Sequence, residues 1–306
     1  MRTRPLVFIA SLLLFQQAFC SDWQHYGGDA GGKRYSRLQQ INPENVNDLD
    51  IAWQYRTGEL GDGYKSGDKL TFEATPVLWN RTLYISTAFN KVIALDAVSG
   101  KERWRYDAQI PKELGYAEVA SRGVTLWHSQ ESNDGPCSHR VMLGTLSGQL
   151  HVLDAETGKV CDDFADKGIV DLTKEIHFTE AGEYTITSPP VVYGDLIIVG
   201  SAIGDNRGVE LERGIVRAIN ARSGSIVWAW DPIPVNPDNP MYDSWQAGSA
   251  ERNGGANAWA PLSIDTENGL VFIPTSSPSP DFYGGERKGN NNYANSLVAL
   301  NALTGQ

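Results

Sequence analysis

Glu73, Arg122, Thr187 and Trp259 each stand shortly before a short apolar run, and Asn90, Asp205, Asn206, Glu210, Ser277 and Ser279 each follow a second such run. Carboxylates, amides, hydroxyls, one guanidinium and one indole in two recurring positions form a mixture that a bland surface does not need. Such a mixture can grip a polar ligand through charge, hydrogen bonds and ring contact. Cys137 and Cys161 are the only cysteines after Cys20; an oxidising compartment would let them pair, and otherwise they are two separate thiols. The five histidines are scattered, so no metal site rests on them. Gly27-Gly28-Asp29-Ala30-Gly31-Gly32 lacks the dinucleotide-binding spacing and no helical pattern follows it, which argues against a nicotinamide or nucleotide enzyme.

The elements that position these residues come from a repeat. Ala94-Leu95-Asp96-Ala97-Val98-Ser99-Gly100 returns as Val152-Leu153-Asp154-Ala155-Glu156-Thr157-Gly158, as Ala218-Ile219-Asn220-Ala221-Arg222-Ser223-Gly224 and as Ala299-Leu300-Asn301-Ala302-Leu303-Thr304-Gly305. Each copy reads as a strand ending in Asp or Asn, whose side chain folds back onto the turn, followed by a Gly that tolerates positive φ. The first and third copies continue into Trp104 and Trp228, large apolar groups suited to packing between sheets. Upstream partner strands are expected at 83–87, 141–143, 196–199 and 270–273, and a further strand before each at 76–78, 124–126, 190–192 and 260–263.

Four antiparallel strands per unit, with the turn Asp or Asn spaced 58, 66 and 81 residues apart, predict an all-β propeller of four-stranded blades with loop insertions. A β-solenoid would have shorter, more even rungs. The sequence reaches Gln306 before an outer strand for the fourth copy, so the ring is expected to be incomplete. In an up-and-down blade, the loop entering the first strand and the loop joining the second to the third lie on one face. The ten polar and aromatic residues named above fall in those two loop classes.

Residues 1–21 carry Arg2 and Arg4, an apolar run over 6–15 and then small residues, the pattern of a secretory signal peptide preceding a mature domain at 22–306. The run is too short for the ~20 residues that span a bilayer. Lipid attachment at Cys20 is the lesser reading, because Phe19 stands where a small residue is usual. The expected location is therefore periplasmic or secreted. A formal charge of -11 with no basic cluster excludes nucleic acid as a partner.

Asp22-Trp23-Gln24-His25-Tyr26-Gly27-Gly28, Arg34-Tyr35-Ser36, Gln40-Ile41-Asn42, Asn257-Ala258-Trp259-Ala260-Pro261 and the stretch from Pro278 to Gly285 resemble segments of the pyrroloquinoline-quinone (PQQ) dependent dehydrogenases. The resemblance implies an eight-bladed propeller, of which this chain would supply about half. It implies PQQ and Ca²⁺ as cofactors, oxidation of an alcohol, polyol or aldose hydroxyl, and a cytochrome or membrane quinone as electron acceptor. By the same resemblance Trp259 stacks on the quinone, Glu73 and Arg122 bind the cofactor, and Thr187 is a further donor. Asp205 and Asn206 match the metal-binding pair of the glucose-oxidising branch. Glu210 and Ser277, or Ser279, match the metal loop of the methanol-oxidising branch. Phe89-Asn90 follows Thr87-Ala88 where membrane-bound glucose enzymes carry a His, so glucose specificity does not carry over. The family's catalytic Asp is expected beyond residue 306, and no residue here is assigned as the base. A non-catalytic propeller used as an outer-membrane assembly scaffold is the alternative, because it shares the repeat.

Overall fold

The computed structural model describes residues 22–61, 63–130, 135–174 and 176–306. The signal-peptide reading and Cys20 lie outside the described residues.

The four repeat turns close alike. Asp96 Oδ1 accepts from Ser99 N–H at 2.8 Å, Asp154 Oδ1 from Thr157 N–H at 2.8 Å, Asn220 Oδ1 from Ser223 N–H at 2.9 Å and Asn301 Oδ1 from Thr304 N–H at 3.1 Å. The glycines that follow, Gly100, Gly158, Gly224 and Gly305, have φ of 67°, 71°, 75° and 72°. Only glycine enters that region without a steric cost.

Each turn stands at the end of a blade's third strand. Blade 1 is β1 (Val77–Trp79), β2 (Thr82–Ser86), β3 (Lys91–Asp96) and β4 (Glu102–Asp107), antiparallel in chain order. Blade 2 repeats this with β5 (Thr125–His128), β6 (His139–Gly144), β7 (Gln149–Asp154) and β8 (Ile169–Asp171). A short strand β9 (Tyr184–Thr185) precedes blade 3, which orders β10 (Val191–Tyr193), β11 (Leu196–Val199), β13 (Val216–Asn220) and β14 (Ile226–Trp230). β12 (Ala202–Ile203) leaves this sheet to pair with β9, an extra two-stranded element that the repeat pattern does not announce. Blade 4 is β15 (Ser263–Asp265), β16 (Leu270–Pro274) and β17 (Leu297–Asn301). The architecture is all-β, with antiparallel blades of the expected kind.

The core lies between sheets, since each blade is a thin layer that must bury both faces. Tyr84, Val92 and Ala94 of blade 1 meet Val141, Leu143 and Leu153 of blade 2. Met142, Leu150 and Val152 meet Ile197, Val199 and Ile219, and Ile198, Val216 and Ala218 meet Ile264, Val271 and Ile273. The blade junctions also carry polar latches. Trp104 Nε1–H donates to the Ala155 carbonyl at 3.1 Å and Trp228 Nε1–H to the Ala302 carbonyl at 3.0 Å, and each ring covers the turn glycine of the next blade so closely that a Cβ there would overlap it. Between blades 2 and 3 the indole of Trp127 donates instead to the Gly194 carbonyl and to Asp195 Oδ1, both at 3.2 Å, and Arg140 Nη1 donates to the Ala221 carbonyl at 2.9 Å.

A third indole obeys the same rule. Trp53, well before blade 1, donates Nε1–H to the Ala97 carbonyl at 3.3 Å and covers Gly100. Residues 51–57 thus sit where a preceding blade's outer strand would sit. The segment 22–32 runs along the inner strands. Trp23 exchanges backbone hydrogen bonds with Leu78 of β1 at 3.0 and 2.7 Å, and the Ala30 carbonyl accepts from Ile264 N–H of β15 at 2.8 Å. This strap ties blade 1 to blade 4.

Cys137 and Cys161 are joined, Sγ–Sγ 2.11 Å, linking the β5–β6 and β7–β8 connections on the face away from the loops of interest. A cavity of about 730 Å³ lies beside that bond, lined by residues such as His139, Asp154 and Lys159.

The indole latches set the expected response to mutation. Trp228→Ala removes a buried ring and its donor together, and costs about 3–5 kcal/mol of unfolding free energy in urea titration. A loss below ~1 kcal/mol would show that the junction does not depend on it.

Candidate active site

Antiparallel blades bring the entering loops to one end of the inner strands, and hydrogen bonds then chain those loops across the blades. Thr75 N–H donates to the Arg122 carbonyl at 3.0 Å, Arg122 N–H to the Thr187 carbonyl at 2.8 Å, and Ser188 Oγ to the Trp259 carbonyl at 2.6 Å. The side chains follow this path. Arg122 Nη1 donates to Thr187 Oγ1 at 2.7 Å, and its guanidinium carbon stands 5.0 Å from the centre of the Trp259 ring, close enough for a cation–π contact. Arg122 Nη2 reaches Glu73 Oε2 at 2.9 Å and Glu118 Oε1 at 2.7 Å.

The structure therefore gathers all four candidate contacts of the entering loops, Glu73, Arg122, Thr187 and Trp259, around one guanidinium. The Arg122 side chain is only 11% exposed, whereas Trp259 keeps 43% of its surface open. A half-open indole beside a buried cation is an unusual surface, since large aromatics ordinarily bury their faces. Beside it Ser201 Oγ is buried without a hydrogen-bond partner, in a small cleft shared with Thr187, Ser188 and Trp259. Glu118 and Ser188 belong to this site and were not singled out from sequence. Their only signals are position: Glu118 four residues before Arg122, and Ser188 next to Thr187.

The loops joining second to third strands divide differently. In blades 3 and 4 they meet: Asp281 N–H donates to the Asp205 carbonyl at 3.2 Å, and Phe282 N–H to Asn206 Oδ1 at 3.2 Å. Burial, and then the charge of Asp281, push the Asp205 carboxyl up to about 6. Arg207, next along, ties the loop down through Glu183 Oε2 at 3.0 Å and through the fully buried carboxylate of Glu212. Ser277 Oγ donates to Asn295 Oδ1 at 2.9 Å. Glu210 is exposed. Among the described residues, the one cluster of three acidic, imidazole or thiol ligands is Cys137, Cys161 and Asp163, and both sulfurs there are spent in the disulfide. Glu210 does not join Asp205 in such a cluster.

Two loop residues expected on this face are structural instead. Asn90 is fully buried at φ 62° and accepts from Leu146 N–H at 2.7 Å, fastening blade 1 to blade 2. Ser279 is fully buried too, donating to the Val209 carbonyl at 2.6 Å and accepting from Gly254 N–H at 2.9 Å. Phe89 is buried and stacked on Tyr64 with ring centres 3.6 Å apart.

The chain as a whole has relatives among known proteins. The sequence model of the PQQ glucose/ethanol/alcohol dehydrogenase β-propeller domain matches residues 23–306. The chain belongs to this family. The quinoprotein glucose dehydrogenase of Escherichia coli (strain K12) is 35% identical over 291 residues, a match covering 93% of this chain and 36% of that protein. The glycerol dehydrogenase large subunit of Gluconobacter oxydans is 33% identical over 287 residues, covering 93% and 38% respectively. Among solved structures, quinohemoprotein alcohol dehydrogenase from Comamonas testosteroni superposes with a TM-score of 0.76 at 30% identity, covering 94% of this chain and 40% of the other. The chain thus spans well under half the length of these relatives.

As a member of this quinoprotein family, the chain can be tested for fit to a planar, carboxylated quinone and a cation. An open indole face, a cation beside it and an unpartnered buried hydroxyl suit the first. A half-buried carboxylate that resists ionisation, with an amide oxygen next to it, suits a hard cation, which takes oxygen ligands. The residues present fit both groups.

The shifted acidity has a measurable sign. A carboxyl whose folded pKa lies above its unfolded one costs the fold on ionising, so its stabilising contribution is full below about pH 4 and declines as pH rises toward 6. With chelator present, Asp205→Asn is expected to raise the melting temperature at pH 7.5 and leave it unchanged near pH 3.5. An equal change at both values would contradict the origin assigned here.

Proposed function

We propose that these loops form a PQQ-binding surface and a metal site, and that the protein oxidises an alcohol, polyol or aldose hydroxyl outside the cytoplasm. The observation that carries this reading is the constellation of half-open Trp259, Arg122 and Thr187 on one face of a propeller whose relatives are quinoprotein dehydrogenases. Trp259 would stack on the quinone plane, Arg122 would hold its carboxylates, and Thr187 and Ser201 would donate further hydrogen bonds. Asp205 and Asn206 are the proposed metal ligands, and their oxygens suit Ca²⁺; Glu210, exposed on the same loop and not clustered with Asp205, is not among them, nor is Ser277, whose Oγ is engaged by Asn295.

When bound, the quinone would supply a two-electron acceptor for alcohol oxidation and the metal would supply Lewis acidity. The chain's own part is to hold and shield. Glu73 and Glu118 hold Arg122 aimed before any ligand arrives, so little reorganisation is needed on binding. Asp205 is kept poorly neutralised, and a cation is the group that relieves it. A cytochrome or membrane quinone is the proposed acceptor, and a periplasmic location is proposed with it. No helix among the described residues is long and apolar enough to cross a membrane. The assembly-scaffold alternative is not favoured, because the matching family and relatives are dehydrogenases.

Titration of the protein with PQQ in the presence of Ca²⁺ is expected to quench tryptophan fluorescence. Trp259→Ala should weaken binding at least about tenfold, ~1.4 kcal/mol, as the stacking face is lost. Absence of quenching in the unaltered protein would refute the proposal.

A further inference from the structure

Arg122 carries two carboxylates, and they are held unequally. Glu73 Oε2 and Glu118 Oε1 meet the same nitrogen, Arg122 Nη2, at 2.9 and 2.7 Å. Their side chains are almost equally open, 36% and 35% exposed, so bonding is what separates them. Glu73 Oε1 also accepts from Thr71 Oγ1 at 3.0 Å, a hydroxyl shared with the Val119 carbonyl at 3.2 Å. Among the described residues, Arg122 is the one hydrogen-bonding partner of the Glu118 side chain. The guanidinium's other terminal nitrogen, Nη1, is committed to Thr187 Oγ1. One positive charge thus faces two negative ones, beside an indole whose face is half open.

The backbone around Glu118 is pinned, whereas its side chain can turn. Ala117 N–H donates to the Gly182 carbonyl at 3.0 Å and the Val119 carbonyl accepts from Thr71 N–H at 3.3 Å, while Tyr116, Val119 and Ala120 are buried. Departure of Glu118 from Arg122 is therefore the rotation of one side chain into water. Partly exposed ion pairs are weak, so that rotation is easily driven. A simple anion that displaces Glu118 exchanges one carboxylate contact for another of the same kind and gains nothing, and it must first approach a group that is already net negative. A planar anion that also covers the open face of Trp259 gains ring contact as well.

We propose that Glu118 is a selectivity residue: its carboxylate stands in for a ligand's on Arg122, excludes simple anions from that donor, and turns away for a planar anion that also stacks on Trp259. The proposal rests on the reading of this face as a quinone site and adds which carboxylated ligands the site admits. Glu73, held by two donors, stays in place and keeps the guanidinium aimed. Charge rather than shape does the excluding. Glu118→Gln, whose amide oxygen can still accept from Arg122 Nη2, therefore opens the site to simple anions, and Glu118→Asp, which keeps the charge, closes it again.

Sulfate, with ionic strength held constant by sodium chloride, probes the exclusion directly. It is expected to leave the melting temperature of the unaltered protein where chloride leaves it, to raise that of Glu118→Gln, and to lose this effect when Arg122→Gln is added. Glu118→Asp should follow the unaltered protein. In tryptophan-fluorescence titrations with PQQ and Ca²⁺, Glu118→Gln should bind about fivefold more tightly, and sulfate should compete in that variant alone. Sulfate binding that is the same with and without the Glu118 charge, or weaker PQQ binding by Glu118→Gln than by the unaltered protein, would overturn the proposal. Absence of PQQ binding throughout, with sulfate still stabilising Glu118→Gln alone, would count against the quinone reading and uphold the exclusion by Glu118.

Discussion

Everything on the functional face depends on how one blade is held at a fixed offset from the next, and that is the work of an indole laid over a glycine. The ring needs the turn to carry no Cβ, and the turn needs glycine for its positive φ. One residue thus answers two demands, and the adjacent alanine carbonyl receives the indole N–H. A purely apolar junction could slide, since hydrophobic contact is non-directional. The hydrogen bond makes the offset specific. At the blade 2–3 junction Arg140 satisfies the corresponding acceptor at Ala221, while the indole of Trp127 donates to the Gly194 carbonyl instead.

That offset lets entering loops from different blades reach each other. Arg122 touches side chains from the entering loops of blades 1, 3 and 4 as well as Glu118 of its own. Its burial would be unfavourable for a lone cation, and two carboxylates with a hydroxyl offset it. The cation is therefore kept, aimed and partly neutralised. An incoming anionic ligand would meet a donor array already in place, and would compete with Glu73 and Glu118 for it.

The fold was more legible than the site for a physical reason. Turn chemistry is local: Asp or Asn, then a glycine four residues on, writes itself into sequence four times. The latch is half local, so Trp104 and Trp228 could be read as interblade groups, while Trp53 precedes any repeat and offered no frame. Loop residues are ambiguous, since a buried amide that staples two blades and an open amide that could bind a cation have the same letter. Asn90 and Ser279 proved to be staples, and Asn206 and Ser277 remained near the surface. Ser188 was invisible because what makes it part of the site is a contact with another blade, and Glu118 because its partner Arg122 gains its role only from the other blades it touches. The pairing of β9 with β12 escaped because two residues in each are too few to show an alternation.

The loop bearing Asp205 illustrates how a strained carboxylate can be kept. Burial first, with the charges of Glu180 and Glu212 adding to it, raises the pKa of Glu183, and Arg207 counters this only in part. Glu212 is more enclosed still. Burial pushes its pKa upward, but hydrogen bonds from Thr179, N–H at 2.8 Å and Oγ1 at 2.6 Å, outweigh that and hold it below the ordinary value. It therefore stays ionised and Arg207 stays clamped, because removing one partner of a buried pair leaves an uncompensated charge. With its neighbour fixed, Asp205 is held in a half-buried place facing Asp281 and cannot easily swing out to water. A site that must bind a cation needs such unrelieved negative charge, and the rigid pair behind it supplies the restraint.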